Sequence, residues 1–155
     1  MANLLIREGR AAEILLVEDN RGDAILASRA FKDAKIENHL HVVDTAEKAL
    51  LVLRREGDYE TIRPPDLILL DLNLPKMSGK ELLAIIKSDD KTRHIPVIVL
   101  SSSSAEQDIA KSYNLHASAY IVKPLDLETF REVVASIEQF FFLLAVLPDA
   151  DFAAE

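Results

Sequence analysis

Three short segments carry the chemistry of this chain: Glu18-Asp19, Asp71 and Lys123-Pro124. They follow the apolar runs Ile14 to Val17, Leu67 to Leu70 and Tyr120 to Val122. Carboxylates brought together repel one another unless a cation or a reaction justifies the gathering. A hard divalent cation such as Mg²⁺ takes an octahedron of oxygen ligands and keeps several waters. On that reading Asp19 and Asp71 are direct ligands, Glu18 reaches through water, and the backbone carbonyl of Asn73 adds an oxygen. Asp71 is also a candidate nucleophile on phosphorus, because aspartate forms acyl phosphates. Phosphoryl transfer depends on positioning and charge neutralisation, which the cation and the Lys123 ammonium would share. Ser101, which ends a further apolar run, offers a hydroxyl to the transferred group.

Short continuous apolar runs flanked by helical patterns read as buried strands of a parallel sheet. Strands are expected at 14–17, 40–43, 67–71, 95–100 and 118–122, with Pro96 tolerated near the start of the fourth. Leu26, Ala27, Ala30 and Phe31 recur at helical spacing. Asp44 with Glu47 reads as a capping box opening a helix to about Arg55, and Ser78 with Glu81 as another, running to about Lys87. Ser103 with Glu106, or Ser104 with Gln107, begins a fourth helix. Asp126 caps the last, with Phe130, Val133, Val134, Ile137, Phe141 and Leu144 on one face. The stretch 56–65, holding Gly57, Pro64 and Pro65, is the longest loop. The alternation predicts an α/β fold: a doubly wound five-stranded parallel sheet of order 2-1-3-4-5 with helices on both faces, flavodoxin-like. Such sheets bind ligands at the carboxyl ends of the strands, where the order reverses between the first and third. Glu18, Asp19 and Asp71 end there.

A length of 155 residues suits one domain, expected over 12–147 with an arm at 1–11 and a tail at 148–155. The net charge of −8, from 26 acidic against 18 basic side chains, argues against nucleic acid, whose phosphates need clustered Lys and Arg. The absence of cysteine excludes disulfides, thiolate metal sites and cysteine nucleophiles. Met1 to Arg10 has no signal-peptide core, and Phe140 to Leu147 is too short to span a bilayer, so no membrane is expected and the location reads as cytoplasmic. His39, His41, His94 and His116 lack ligand spacing and read as surface or strand-edge residues. The run Phe140 to Leu147 has more apolar residues than one core-facing helix stripe uses. Phe142, Leu143 and Val146 point away and predict an interface, paired about a two-fold axis in a homodimer. The alternative is that the tail covers them.

Taken singly, Glu18-Asp19-Asn20 reads as a helix-capping turn, Asp71 as a turn residue before Pro75 and Gly79, and Lys123-Pro124 as a loop. In order they are more specific. Ile14-Leu-Leu-Val-Glu18-Asp19-Asn20, Leu69-Leu-Asp71-Leu-Asn-Leu-Pro75-Lys-Met-Ser-Gly79, Val99-Leu-Ser101 and Ala119-Tyr120-Ile-Val-Lys123-Pro124 resemble the receiver domains of two-component response regulators, over roughly residues 12 to 142. The resemblance implies phosphoryl transfer from a histidine kinase to Asp71. It also implies Mg²⁺, or alternatively Mn²⁺, held by Glu18, Asp19 and Asp71. Ser101 and Tyr120 would form a switch that changes the surface around the fourth helix and fifth strand. Lys123-Pro124 would carry a cis peptide. Ser102 departs from the alanine or glycine common at that position, which would narrow access to the phosphoryl group. No effector domain follows in this sequence. The stretch from Ile95 to Ser104, Tyr113-x-Leu115-x-Ala117 and the Ile137-Glu-Gln-Phe140 ending are similar to stand-alone regulators paired with cyanobacterial and other bacterial phytochromes. The expected partners are therefore a phytochrome-type histidine kinase and a downstream protein. An aspartate-nucleophile phosphohydrolase would carry a second acid where Asn73 stands, and the amide cannot replace it. A non-phosphorylated scaffold would not need the full set of Glu18, Asp19, Asp71, Ser101 and Lys123. A flavin-binding protein would need a phosphate-cradling loop after the first strand, where Glu18-Asp19 would repel the ligand.

Overall fold

Unbroken apolar strands cannot leave either face to water, and helices cover both. The computed structural model describes residues 11–102, 117–123 and 126–146, with 140–146 by backbone alone. Its strands are β1 (Ala12–Val17), β2 (Asn38–Val43), β3 (Leu67–Asp71), β4 (Val97–Ser101) and β5 (Ala119–Val122). Its helices are α1 (Arg21–Lys32), α2 (Ala46–Arg54), α3 (Gly79–Ser88) and α4 (Leu127–Val146). All pairings are parallel and the order is β2-β1-β3-β4-β5, as expected from the sequence. Every residue of β1, β3 and β4 is buried, while the edge strands β2 and β5 are partly exposed.

Side-chain alternation along the strands divides the apolar residues between two cores. Ile14, Leu16, Leu67 and Leu69 meet Phe31 of α1 and Phe130 of α4 on one face. Leu15, Val17, Ile68 and Leu70 meet Val52 of α2 and Leu82 of α3 on the other. Arg131 of α4 reaches Asp33 after α1 at 3.1 Å, and Glu138 accepts the Ile36 amide at 2.9 Å.

The caps fix where helices leave the sheet. Asn20 accepts from the Asp23 amide, Ser78 from the Glu81 amide and Asp126 from the Thr129 amide. The expected Asp44 cap is corrected: Thr45 accepts the Lys48 amide at 3.1 Å, and Asp44 instead pairs with the Lys48 ammonium at 2.8 Å. Both residues precede the helix, and the hydroxyl one position closer has the capping geometry. The fourth strand begins at Val97, just past Pro96, because proline has no amide for the ladder. The expected 56–65 loop contains one 3-10 turn, Gly57–Tyr59. The fourth expected helix, the Lys123-Pro124 peptide with its proline, and the side chains of Phe142, Leu143 and Val146 lie outside the described residues.

Candidate functional site

Register brings the site together. Val17 of β1 lies beside Leu70 of β3, so Glu18 and Asp71 leave the sheet as neighbours. Asp71 in turn pairs with Leu100, and Ser101 with Val122, which places Lys123 at the same rim. Glu18 and Asp71 are each 3% exposed, and Asp19 is open to solvent. Carboxylate oxygens from Glu18, Asp19 and Asp71 lie within 4.8 Å of one another. An all-oxygen donor set of this charge suits a hard divalent cation.

Lys123 is the counter-ion. Its ammonium lies 2.5 Å from Glu18 Oε1, 2.8 Å from Asp23 Oδ2 and 3.2 Å from Asp71 Oδ2. Burial alone would push the ammonium pKa down. Hydrogen bonds to Asp23 and Glu18 and the charges of Asp71 and Glu18 outweigh it, and the pKa is raised. One cation does not balance the site. Burial, reinforced by the hydrogen bond and charge of Asp71, pushes Glu18 up to about 8 despite Lys123. The pocket therefore holds more negative charge than Lys123 offsets, a surplus that a further cation would relieve.

Each oxygen of Asp71 is oriented. Oδ1 accepts the Asn73 amide at 2.9 Å, and Oδ2 faces Lys123. Glu18 Oε2 accepts the Asn20 amide at 3.1 Å. The loop after Asp71 is held by Gly79, whose amide donates to the Leu72 carbonyl at 3.1 Å. A Cβ on Gly79 would stand 2.2 Å from the Asp71 carbonyl oxygen. Only glycine permits that approach, and it fixes the start of α3 against the backbone of Asp71.

Asp19, Asn73, Ser102 and Lys123 line one open basin with Asp71 and Asp23. Ser102 accepts a hydrogen bond from the Asn73 side-chain amide at 2.7 Å, a bridge across the mouth. Ser101 is fully buried, and its carbonyl accepts the Lys123 amide at 2.6 Å. Tyr120 is half-buried against the core beneath α2 and α3. Among the expected site residues on described positions, Glu18, Asp19, Asp71 and Lys123 converge directly, and Asn73 and Ser102 frame them. Asp23 was missed. An acid in the first turn of a helix reads as a dipole partner, and only the fold turns it toward Lys123.

Residues 14–135 match the family model of the response regulator receiver domain. The chain belongs to that family. It is 40% identical over 137 residues to the response regulator Rcp1 of Synechocystis sp., covering 88% of this chain and 93% of Rcp1. The crystal structure of the phosphorylated cyanobacterial phytochrome response regulator RcpA superposes with a TM-score of 0.78 at 44% identity, over 90% of this receiver chain and 99% of RcpA. The Mn²⁺-bound form of Rcp1 superposes with a TM-score of 0.75 at 39% identity, over 88% and 99% of the two chains. Receiver domains are signalling switches that take a phosphoryl group on aspartate and bind a divalent metal. No described helix is long and apolar enough to cross a membrane.

Proposed function

We propose that this receiver accepts a phosphoryl group on Asp71 from the phosphohistidine of a phytochrome-type kinase and signals by protein–protein contact. The observation that carries the reading is the Asp71 carboxylate, buried at the switch point, oriented by the Asn73 amide and faced by Lys123. In the transfer a carboxylate oxygen forms the new P–O bond, the P–N bond breaks, and its electron pair stays on the histidine nitrogen. The Asn73 amide holds the nucleophile. Lys123, already against Asp71, neutralises charge on the incoming group. Mg²⁺, with Mn²⁺ as the alternative, would be held by Asp19 and Asp71 with Glu18 nearby, and would supply further charge neutralisation. Ser101, which ends β4, and Tyr120, on the neighbouring strand β5, are the switch pair. The phytochrome partner rests on the likeness to Rcp1 and RcpA.

Two further parts rest on sequence. The domain spans 12–147 in the cytoplasm, and two copies pair through Phe142, Leu143 and Val146 of α4. Incubation with acetyl phosphate and Mg²⁺, followed by intact mass measurement, tests the first claim. The account expects one phosphoryl group per chain, and no uptake in Asp19→Ala. Uptake that is independent of Mg²⁺ would refute it. Sedimentation at micromolar concentration tests the pairing, with a monomer as the refuting result.

A further inference from the structure

Parallel topology sends α2 and α3 downward from the phosphorylation end, so their carboxyl ends meet at the opposite end of the molecule. Between them lies a cleft of about 380 Å³, lined by Leu50, Leu53, Ile85 and Ile86 and rimmed by Arg54, Arg55, Lys91 and Asp89. That volume lies within the range of small-molecule sites. The floor is apolar and the rim is cationic, in a protein whose net charge is −8. The side chains of Arg54, Arg55 and Lys91 make no ion pair among the described residues, whereas neighbouring Arg93 pairs with Asp90 at 3.0 Å.

Part of this positive charge has an ordinary use. Cations near helix carboxyl ends offset the helix dipole, worth roughly half a charge at each end. Two helix ends and Asp89 then cancel about two of the three positive charges. About one unit remains. Asp89 is also engaged locally, accepting the Lys91 amide at 2.9 Å. Arg55 closes α2 in the left-handed region, at φ 56° and ψ 46°. Glycine or asparagine is the usual residue there, and with arginine in that place a second guanidinium stands at the rim beside Arg54.

We propose that this cleft binds a small amphipathic monoanion, an alkyl or aryl carboxylate. The apolar body would rest on Leu50, Leu53, Ile85 and Ile86, and the anionic group would meet the guanidinium groups of Arg54 and Arg55, whose donor geometry matches a carboxylate. The residual charge selects one anionic group. The apolar floor selects against a purely ionic ligand.

Fluorescence titration of the full chain with anilinonaphthalene sulfonate tests the site, since that probe joins an aromatic body to one anion. The expected result is saturable binding at one site, weakened about tenfold in Arg54→Glu/Arg55→Glu. Lys91→Glu, in an exposed loop, provides a second variant and should weaken binding in the same direction. Both variants should still take up phosphate from acetyl phosphate, which separates this site from Asp71 and verifies the fold. Non-saturable binding, or equal affinity in the charge-reversed variants, would overturn the proposal. So would binding that appears only in Asp149→Asn/Asp151→Asn/Glu155→Gln. That outcome would make the acidic end of the chain itself the occupant.

Discussion

Strand β1 starts beside one buried glutamate partnership and ends at another, and the two are balanced differently. Glu13, 4% exposed, has a partner for each oxygen: His39 Nδ1 at 2.7 Å and His41 Nε2 at 2.9 Å. Its own amide donates to Asp66 at 2.8 Å. Glu18, 3% exposed, shares the Lys123 ammonium with Asp23 and Asp71. Burial is alike in the two, and the number of side-chain partners per carboxylate is not. A carboxylate with two side-chain partners to itself holds structure together, whereas Glu18 has a backbone amide on Oε2 and a shared ammonium on Oε1. Carboxylates that outnumber their cation leave room for another cation. Unbalanced burial marks function better than burial does.

The largest expected effect comes from disturbing the frame of the crowded end. Gly79→Ala forces a methyl group onto the Asp71 carbonyl and should destabilise the fold by about 3 kcal/mol, read by urea unfolding. Asp71 would be displaced with it, so phosphate uptake should slow as well. His41→Ala probes the balanced end. It leaves Glu13 Oε1 without its partner and should cost about 2 kcal/mol. Glu18→Gln should have the opposite sign, stabilising the metal-free protein by about 1 kcal/mol at pH 8 because it removes a crowded charge. If both substitutions destabilise equally, the distinction between the two ends fails.

Acidity sharpens the same contrast. Glu18 is raised from 4.5 to about 8, so folded protein binds its proton more tightly than unfolded chain does. Its stabilising contribution is full below about pH 4.5 and is lost as pH rises towards about 8. Metal-free wild type should therefore lose stability across that window relative to Glu18→Gln, as thermal melts at several pH values would record. Mg²⁺ held beside Glu18, as proposed, would displace the same proton. Its affinity should rise with pH, by up to about tenfold per unit below 8, and level off above. Calorimetric titrations at pH 6, 7 and 8 check this, and a flat profile would remove Glu18 from the account.

Most of the frame was legible in sequence because apolar runs are short, uninterrupted and separated by helical patterns. The runs ending at Val17 and Leu70 placed Glu18 and Asp71 on adjacent strand ends once the order 2-1-3-4-5 was inferred. What remained hidden depends on contacts between distant segments. Asp23 meets Lys123 across 100 positions, and no local pattern announces it. Glu13 stands just before an apolar run and looks like a strand boundary, while His39 and His41 look like edge residues. Their pairing exists only through the register of β1 with β2. Thr45 displaced Asp44 as a cap because capping turns on one position of backbone geometry.

Trapping and mapping the acyl phosphate decides whether Asp71 receives the phosphoryl group. The protein would be phosphorylated with acetyl phosphate and Mg²⁺, reduced with borohydride to convert the acyl phosphate to homoserine, digested and sequenced by mass spectrometry. Homoserine is expected at position 71 in wild type. No phosphate mass is expected on Asp71→Asn, whose circular dichroism should stay native. Homoserine at Asp19 or another aspartate, or undiminished phosphate uptake by Asp71→Asn, would contradict that role for Asp71.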